Sequence, residues 1–293
     1  MLSPEIIKQI RMIEFKAGHL VTEAMAGNYV SAFKGTGMEF EEVREYVLGD
    51  DVRMIDWNVT ARMQVPYIKV HKEEREMTLM LMIDVSPSQR FSGSGRRKNE
   101  LSADMAAVLA FLAIRNNDKV GLIAFSDHVE SFIPPKKGRG HVWNIIRSVL
   151  TLEGNGKNTD ISGALDFLGK MAKRRTTCFL ISDFYAENFE KSLAVAARRH
   201  DMNCIRTVDP LEEQYAAAGY VELEDAETGK TMIVDAKSKR FQTLFRDLQR
   251  RNDEARVKLF RRMGAGMFSL RSDGSVVDPL VKYLAERGSR RSR

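Results

Sequence analysis

Three uninterrupted apolar runs carry the clearest pattern along the chain. Met80-Leu81-Met82-Ile83, Val120-Gly121-Leu122-Ile123-Ala124-Phe125 and Cys178-Phe179-Leu180-Ile181 show no polar alternation, which predicts strands covered on both faces. Around them, apolar residues recur at helical spacing over 99–115, 141–152, 161–171 and 188–199. Residues 203–208 and Ala265 to Leu270 read as further strands, and Val276 to Glu286 as a last helix. Val129 to Ile133 reads as a shorter strand ended by Pro134-Pro135. Helices thus alternate with buried strands from residue 78 to 287. That order predicts an α/β fold, a mostly parallel doubly wound sheet whose strand C-termini share one ligand-binding rim.

The flanking segments follow other patterns. Residues 3–25 open with Ser3-Pro4 and roughly helical apolar spacing, and Tyr29 to Phe33 alternates as a strand would. Residues 37–57 alternate charges of both signs with Phe40, Tyr46, Ile55 and Trp57. This reads as a loop-rich element in which Arg44, Arg53 or Arg62 forks onto Glu39, Asp50 or Asp56, or else as an interaction surface. Pro66 to Lys72 reads as a strand. Residues 1–77 are therefore an N-terminal helix and strand extension, and 78–293 the α/β domain, interrupted by a β-hairpin insertion at about 219–236.

Composition narrows the classes. At 293 residues the chain has ample core for independent stability, and no apolar run approaches the roughly 18 residues of a membrane span. The opening Met1-Leu2-Ser3-Pro4-Glu5 lacks a signal pattern, so the expected compartment is the cytoplasm. Cys178 and Cys204 lie in apolar runs and read as buried, reduced thiols. The five histidines are scattered without zinc-ligand spacing. Net charge is +6, yet residues 237–293 hold 16 Lys or Arg against 6 Asp or Glu, which is +10 and leaves −4 for residues 1–236. The basic end lies largely on a helix over 239–263 whose Phe residues fall on the apolar side, so it lacks base-stacking aromatics and nucleic acid is an unlikely ligand. Arg287 to Arg293 reads as a frayed tail. Trp57 and Trp143 read as packing residues. Phe91 to Lys98, glycine-rich and basic, reads as a loop, since no Gly-Lys-Ser/Thr closes it as a phosphate loop would require.

The candidate chemistry sits where the apolar runs end. Asp84-x-Ser86-x-Ser88 follows the first run and Asp183 the third, while Thr159 stands in the loop before the 161–171 helix. Two carboxylates and three hydroxyls converging on one rim form an all-oxygen donor set suited to a hard cation, Mg2+ or alternatively Mn2+ or Ca2+. Such a set leaves a coordination position open to an external carboxylate.

These residues resemble the von Willebrand factor A fold and its metal-ion-dependent adhesion site. Asp84, Ser86 and Ser88 match the first part of the motif, Thr159 the second and Asp183 the third. Ser182-Asp183-Phe184 departs from the Thr-Asp-Gly of many members. A narrower resemblance rests on Gly37-x-Glu39-Phe40-x-x-x-Arg44-Glu45-Tyr46-x-x-Gly49-Asp50-Asp51-x-Arg53-x-Ile55-Asp56-Trp57, with Ala61-Arg62, Lys69, Asp209-Pro210 and Glu224-Asp225-x-Glu227-Thr228-Gly229. It is similar to the signature of the "domain of unknown function 58" family. That resemblance implies a bacterial partner or adaptor of a MoxR-type AAA+ ATPase, and beyond it a client protein. Arg44, Arg53, Asp56, Trp57, Arg62 and Phe184 are then the candidate partner-binding residues. The expected function is a non-enzymatic, cation-dependent interaction module. A metal-dependent phosphohydrolase is the alternative, disfavoured because Ser86 stands where an aspartyl phosphotransfer site wants a second acid. A basic nucleic-acid-binding protein is the other.

Overall fold

The computed structural model describes residues 23–33, 38–73, 77–90, 96–152, 154–210, 219–224, 231–235 and 237–291. Most of the expected opening helix, the loop over 91–95 and the hairpin turn over 225–229 lie outside the described residues.

Six strands form the central sheet: β3 (Thr78–Asp84), β4 (Lys119–Phe125), β5 (Val129–Lys136), β6 (Thr177–Ser182), β7 (Asp201–Val208) and β10 (Gly266–Arg271). Their order is β10-β7-β6-β3-β4-β5, all parallel except β5, which pairs antiparallel with β4. The apolar run Leu79 to Ile83 is fully buried because the period-2 pleat sends its side chains into two separate cores. Leu79, Leu81 and Ile83 pack with helices α1 (Glu23–Phe33), α3 (Lys98–Arg115), α4 (Arg139–Thr151) and α8 (Val277–Arg291). Met80 and Met82 face the opposite layer of α5 (Ile161–Met171), α6 (Glu190–Arg199) and α7 (Lys239–Arg262). The sheet is thus wound on both faces, as the alternation predicts. Cys178 and Cys204 are free and buried.

Four local expectations are corrected. Tyr29 to Phe33 is helical, in α1: Met25, Tyr29, Ala32 and Phe33 are the buried positions, a spacing of i, i+4, i+7, i+8. Strand β5 runs through Pro134 and Pro135 because it is an edge strand, and Gly121 opposite leaves room for the Pro135 ring. Helix α8 continues to Arg291, and Arg287 turns inward to pair with Asp201 and stack on Phe33. Lys98 belongs to no solvated loop: it opens α3 and is 1% exposed.

The extension holds β1 (Met38–Glu45) paired antiparallel with β2 (Tyr67–Glu73), and α2 (Trp57–Met63) between them in sequence. The insertion is the antiparallel pair β8 (Tyr220–Glu224) and β9 (Thr231–Asp235). No helix among the described residues is long and apolar enough to cross a membrane.

Candidate metal centre

Two loops leave the C-terminal ends of the neighbouring strands β3 and β6, and a third, between α4 and α5, lies against the first and against the end of β4. The first follows β3. Asp84, 1% exposed, accepts the backbone N–H of Ser86 on Oδ1 at 2.9 Å, folding the chain into a tight turn that brings the Ser86 and Ser88 hydroxyls 3.1 Å apart. The second follows β6. Ser182 donates to Asp84 Oδ2 at 2.6 Å and accepts the Phe184 N–H at 3.0 Å, tying the two loops together. Burial pushes the Asp84 carboxyl up to about 6. Hydrogen bonds from Ser182 and Ser86 oppose that rise, and the nearby Asp183 charge adds to it.

Asp183 is equally buried. Its Oδ2 accepts the Lys98 ammonium at 3.0 Å and its Oδ1 the Tyr185 N–H at 3.3 Å. Lys98 Nζ also lies 5.7 Å from the centroid of the Tyr185 ring. Neither Lys98 nor Ser182 was singled out from the sequence: Lys98 closes a run of glycine, serine and arginine, and its partner is 85 residues away.

The third loop, 154–160, carries Thr159, half-buried, and is pinned from several sides. Arg90 donates to Gly154 O at 2.8 Å, Glu130 accepts the N–H groups of Asn155 and Gly156, and Asp160 N–H donates to Ser126 O. Gly154 is required there, since a Cβ would fall 2.3 Å from Val85 O. Asp160 caps α5 by accepting the Gly163 N–H.

The structure therefore brings the buried Asp84, Ser86 and Asp183 together with the half-buried Ser88 and sets the Thr159 loop against the first loop. The donors suit Mg2+: adjacent oxygens of an octahedron with Mg–O distances of about 2.0–2.1 Å stand about 2.9 Å apart, close to the observed hydroxyl spacing. Among the described residues no group of three or more His, Cys, Asp or Glu side chains is arranged to hold a metal ion.

The partner-binding candidates separate into two groups. Phe184 takes a left-handed backbone (φ 59°), is 7% exposed and packs edge-on against Phe260 at 5.0 Å, with Phe189 beside both. It is a packing residue. The others lie in the extension. Arg44 forks onto Asp50 at 2.8 Å through both guanidinium nitrogens, which holds the Asp50 carboxyl below its ordinary range. Asp56 caps α2 by accepting from Asn58 and Val59, and pairs with Lys69 at 3.3 Å. Arg53 and Arg62 are exposed. Trp57 is 71% exposed, which corrects its reading as a packing residue; Trp143 does pack against the core.

This strand order, with oxygen-rich loops on the C-terminal rim, is that of a von Willebrand factor A-like α/β fold. Within that class the chain belongs to the family described as "Protein of unknown function DUF58", whose model matches residues 42–255. Uncharacterized protein Rv1480 of Mycobacterium tuberculosis is 29% identical over 294 residues, 97% of this chain and 90% of the relative. Among solved structures, BatB from Bacteroides thetaiotaomicron is similar at 14% identity and a TM-score of 0.48, over 74% of this chain and 98% of its own. The SpRpn10 VWA domain is similar at 14% identity and 0.41, over 70% and 93%. Both are loose likenesses, and the fold stands on its own strand order.

Proposed function

We propose that this chain is a non-enzymatic, divalent-cation-dependent interaction module of the cytoplasm. In this reading it is a partner or adaptor of a MoxR-type AAA+ ATPase, and its rim receives an acidic residue of that ATPase or of a client. The carrying observation is the pairing of the Ser86 and Ser88 hydroxyls 3.1 Å apart in the turn that Asp84 folds, with a second buried carboxylate, Asp183, close to Asp84. Ser86, Ser88 and Thr159 would hold the cation, with Asp84 and Asp183 balancing its charge. When bound, Mg2+ supplies an open vertex that attracts an external carboxylate. The protein's own residues do the rest. Asp84 and Ser182 fix the loop that aims the hydroxyls, and the Thr159 loop is held by Arg90 and Glu130. The exposed extension, with Trp57, Val47 and Leu48 uncovered, offers a second contact surface for a large partner.

Pull-down of a MoxR-type ATPase by the wild type and by Asp84→Ala, each with Mg2+ or with EDTA, tests this function. Capture that needs both Mg2+ and Asp84 is the expected result. Equal capture under all four conditions would remove the cation from the mechanism.

A further inference from the structure

The buried group of the rim contains a cation of its own. Asp84, Asp183 and Lys98 are each 1% exposed, and the lysine's ammonium lies 3.0 Å from Asp183 Oδ2. Lys98 is placed there by the start of α3, an 18-residue helix whose amino-terminal end adds positive potential in the same direction. Its side chain is buried with the ammonium beside Asp183 and the Tyr185 ring, and Ser102 Oγ donates to its carbonyl at 3.0 Å, holding the first turn.

Charge counting then separates this rim from one built on two carboxylates alone. Two carboxylates present −2 to a divalent ion and are neutral once it binds. Two carboxylates with Lys98 present −1 and become +1. We propose that Lys98 makes the rim bind its divalent cation and an acidic side chain as a coupled pair: the ion alone is held weakly, and the incoming carboxylate completes neutrality. This rests on the cation-dependent reading above and names its regulation. By linkage, the factor by which the carboxylate raises ion affinity equals the factor by which the ion raises carboxylate affinity. A like charge a few Å away in a poorly hydrated site is worth about tenfold or more in ion affinity. The consequence is a site that stays unloaded until its partner arrives.

The test is calorimetric titration of Mn2+ into wild type and into Lys98→Met, each alone and with a saturating hexaglutamate peptide, hexaglutamine serving as control. Wild type is expected to bind Mn2+ about tenfold or more tightly with hexaglutamate than without. Lys98→Met is expected to bind Mn2+ at least about tenfold more tightly than wild type in the absence of peptide, with the peptide effect reduced. Equal Mn2+ affinity in the two proteins, with no effect of hexaglutamate on either, overturns the role of Lys98 and leaves the cation site standing. No binding of Mn2+ to either protein, with or without peptide, overturns the cation site and this proposal with it. If Lys98→Met fails to fold, the peptide effect on wild type decides the matter, and its absence overturns the coupling.

Discussion

Replacing Ser182 by alanine isolates the link that joins the two aspartate loops. Its hydroxyl, fully buried, donates to Asp84 Oδ2 at 2.6 Å and accepts from Phe184 N at 3.0 Å. Alanine fills nearly the same space, so no cavity term enters. The loss is polar and has two parts. A hydrogen bond to a charged group contributes about 1.5–3 kcal/mol, and a buried N–H left without an acceptor costs about 1–3 kcal/mol. Together they predict a loss of about 3–5 kcal/mol. For a unit of 150–250 residues a change of 1 kcal/mol moves Tm by about 2–4 °C, so a fall of roughly 6–20 °C is expected. Urea unfolding of wild type and Ser182→Ala in EDTA, followed by circular dichroism, measures the difference. Ser289→Ala removes an exposed hydroxyl that donates to Glu286 O and should stay within about 0.5 kcal/mol of wild type. If Ser182→Ala also stays within that margin, the Asp84 carboxylate does not depend on the donor from β6, and the account of how the two loops are locked together fails.

Other substitutions probe separate parts of the argument. Gly154→Ala drives a Cβ into Val85 O and should lower the unfolding midpoint and weaken any Mn2+ binding, whereas Gly27→Ala, in open space on α1, should raise the unfolding free energy by up to about 1 kcal/mol. A Gly154→Ala protein with wild-type stability would show that the third loop is free to move away from the first. His200 is buried, its ring nitrogens have no hydrogen-bond partner among the described residues, and burial with the Arg199 and Arg175 charges holds its pKa below the ordinary value. The unfolded chain therefore takes up a proton first as pH falls through about 6.5, so stability present above that pH declines below it. His200→Leu should flatten the curve of urea midpoint against pH in this range, and an unchanged slope would assign the dependence to other groups. Trp57→Ala should leave the midpoint within about 0.5 kcal/mol while weakening capture of the ATPase; undiminished capture would take Trp57 out of the contact.

What the sequence made legible follows from what each pattern encodes. A strand buried on both faces needs a continuous apolar run, so β3, β4 and β6 could be read directly, and with them the aspartates at their ends. Tyr29 to Phe33 misled because five residues are too few to separate period 2 from period 3.6, and the helix shows itself only once Met25 is included. The prolines of β5 mark a strand with one free edge, which pattern alone does not distinguish from a strand's end. The pairing of Arg44 with Asp50 was among the expected forks, because a guanidinium with a carboxylate six residues away across a turn is a local arrangement. Lys98 with Asp183, and Arg287 with Asp201, are pairings across 85 and 86 residues, and nothing in the local composition separates them from solvated charges. Phe184 was read as a contact residue from its place beside Asp183. The left-handed backbone at that position turns the ring into the layer of Phe189 and Phe260.

The five-position motif thus specifies oxygens, while the charge of the site is set by residues the motif does not contain. Each oxygen of Asp84 and of Asp183 already accepts one hydrogen bond, from Ser86 N–H, Ser182, Lys98 or Tyr185 N–H. The carboxylates are thereby committed to the interior. The Ser86 and Ser88 hydroxyls, which face one another, would be the donors nearest an ion bound as proposed. Hydroxyls are neutral ligands, so the ion's charge is balanced only from the layer behind them, and Lys98 subtracts from that layer. Under the proposed function, a rim assembled in this way would leave a bound cation under-neutralised by its own protein. Its remaining coordination position would then prefer a carboxylate to water, which is the property a docking site for an acidic side chain requires.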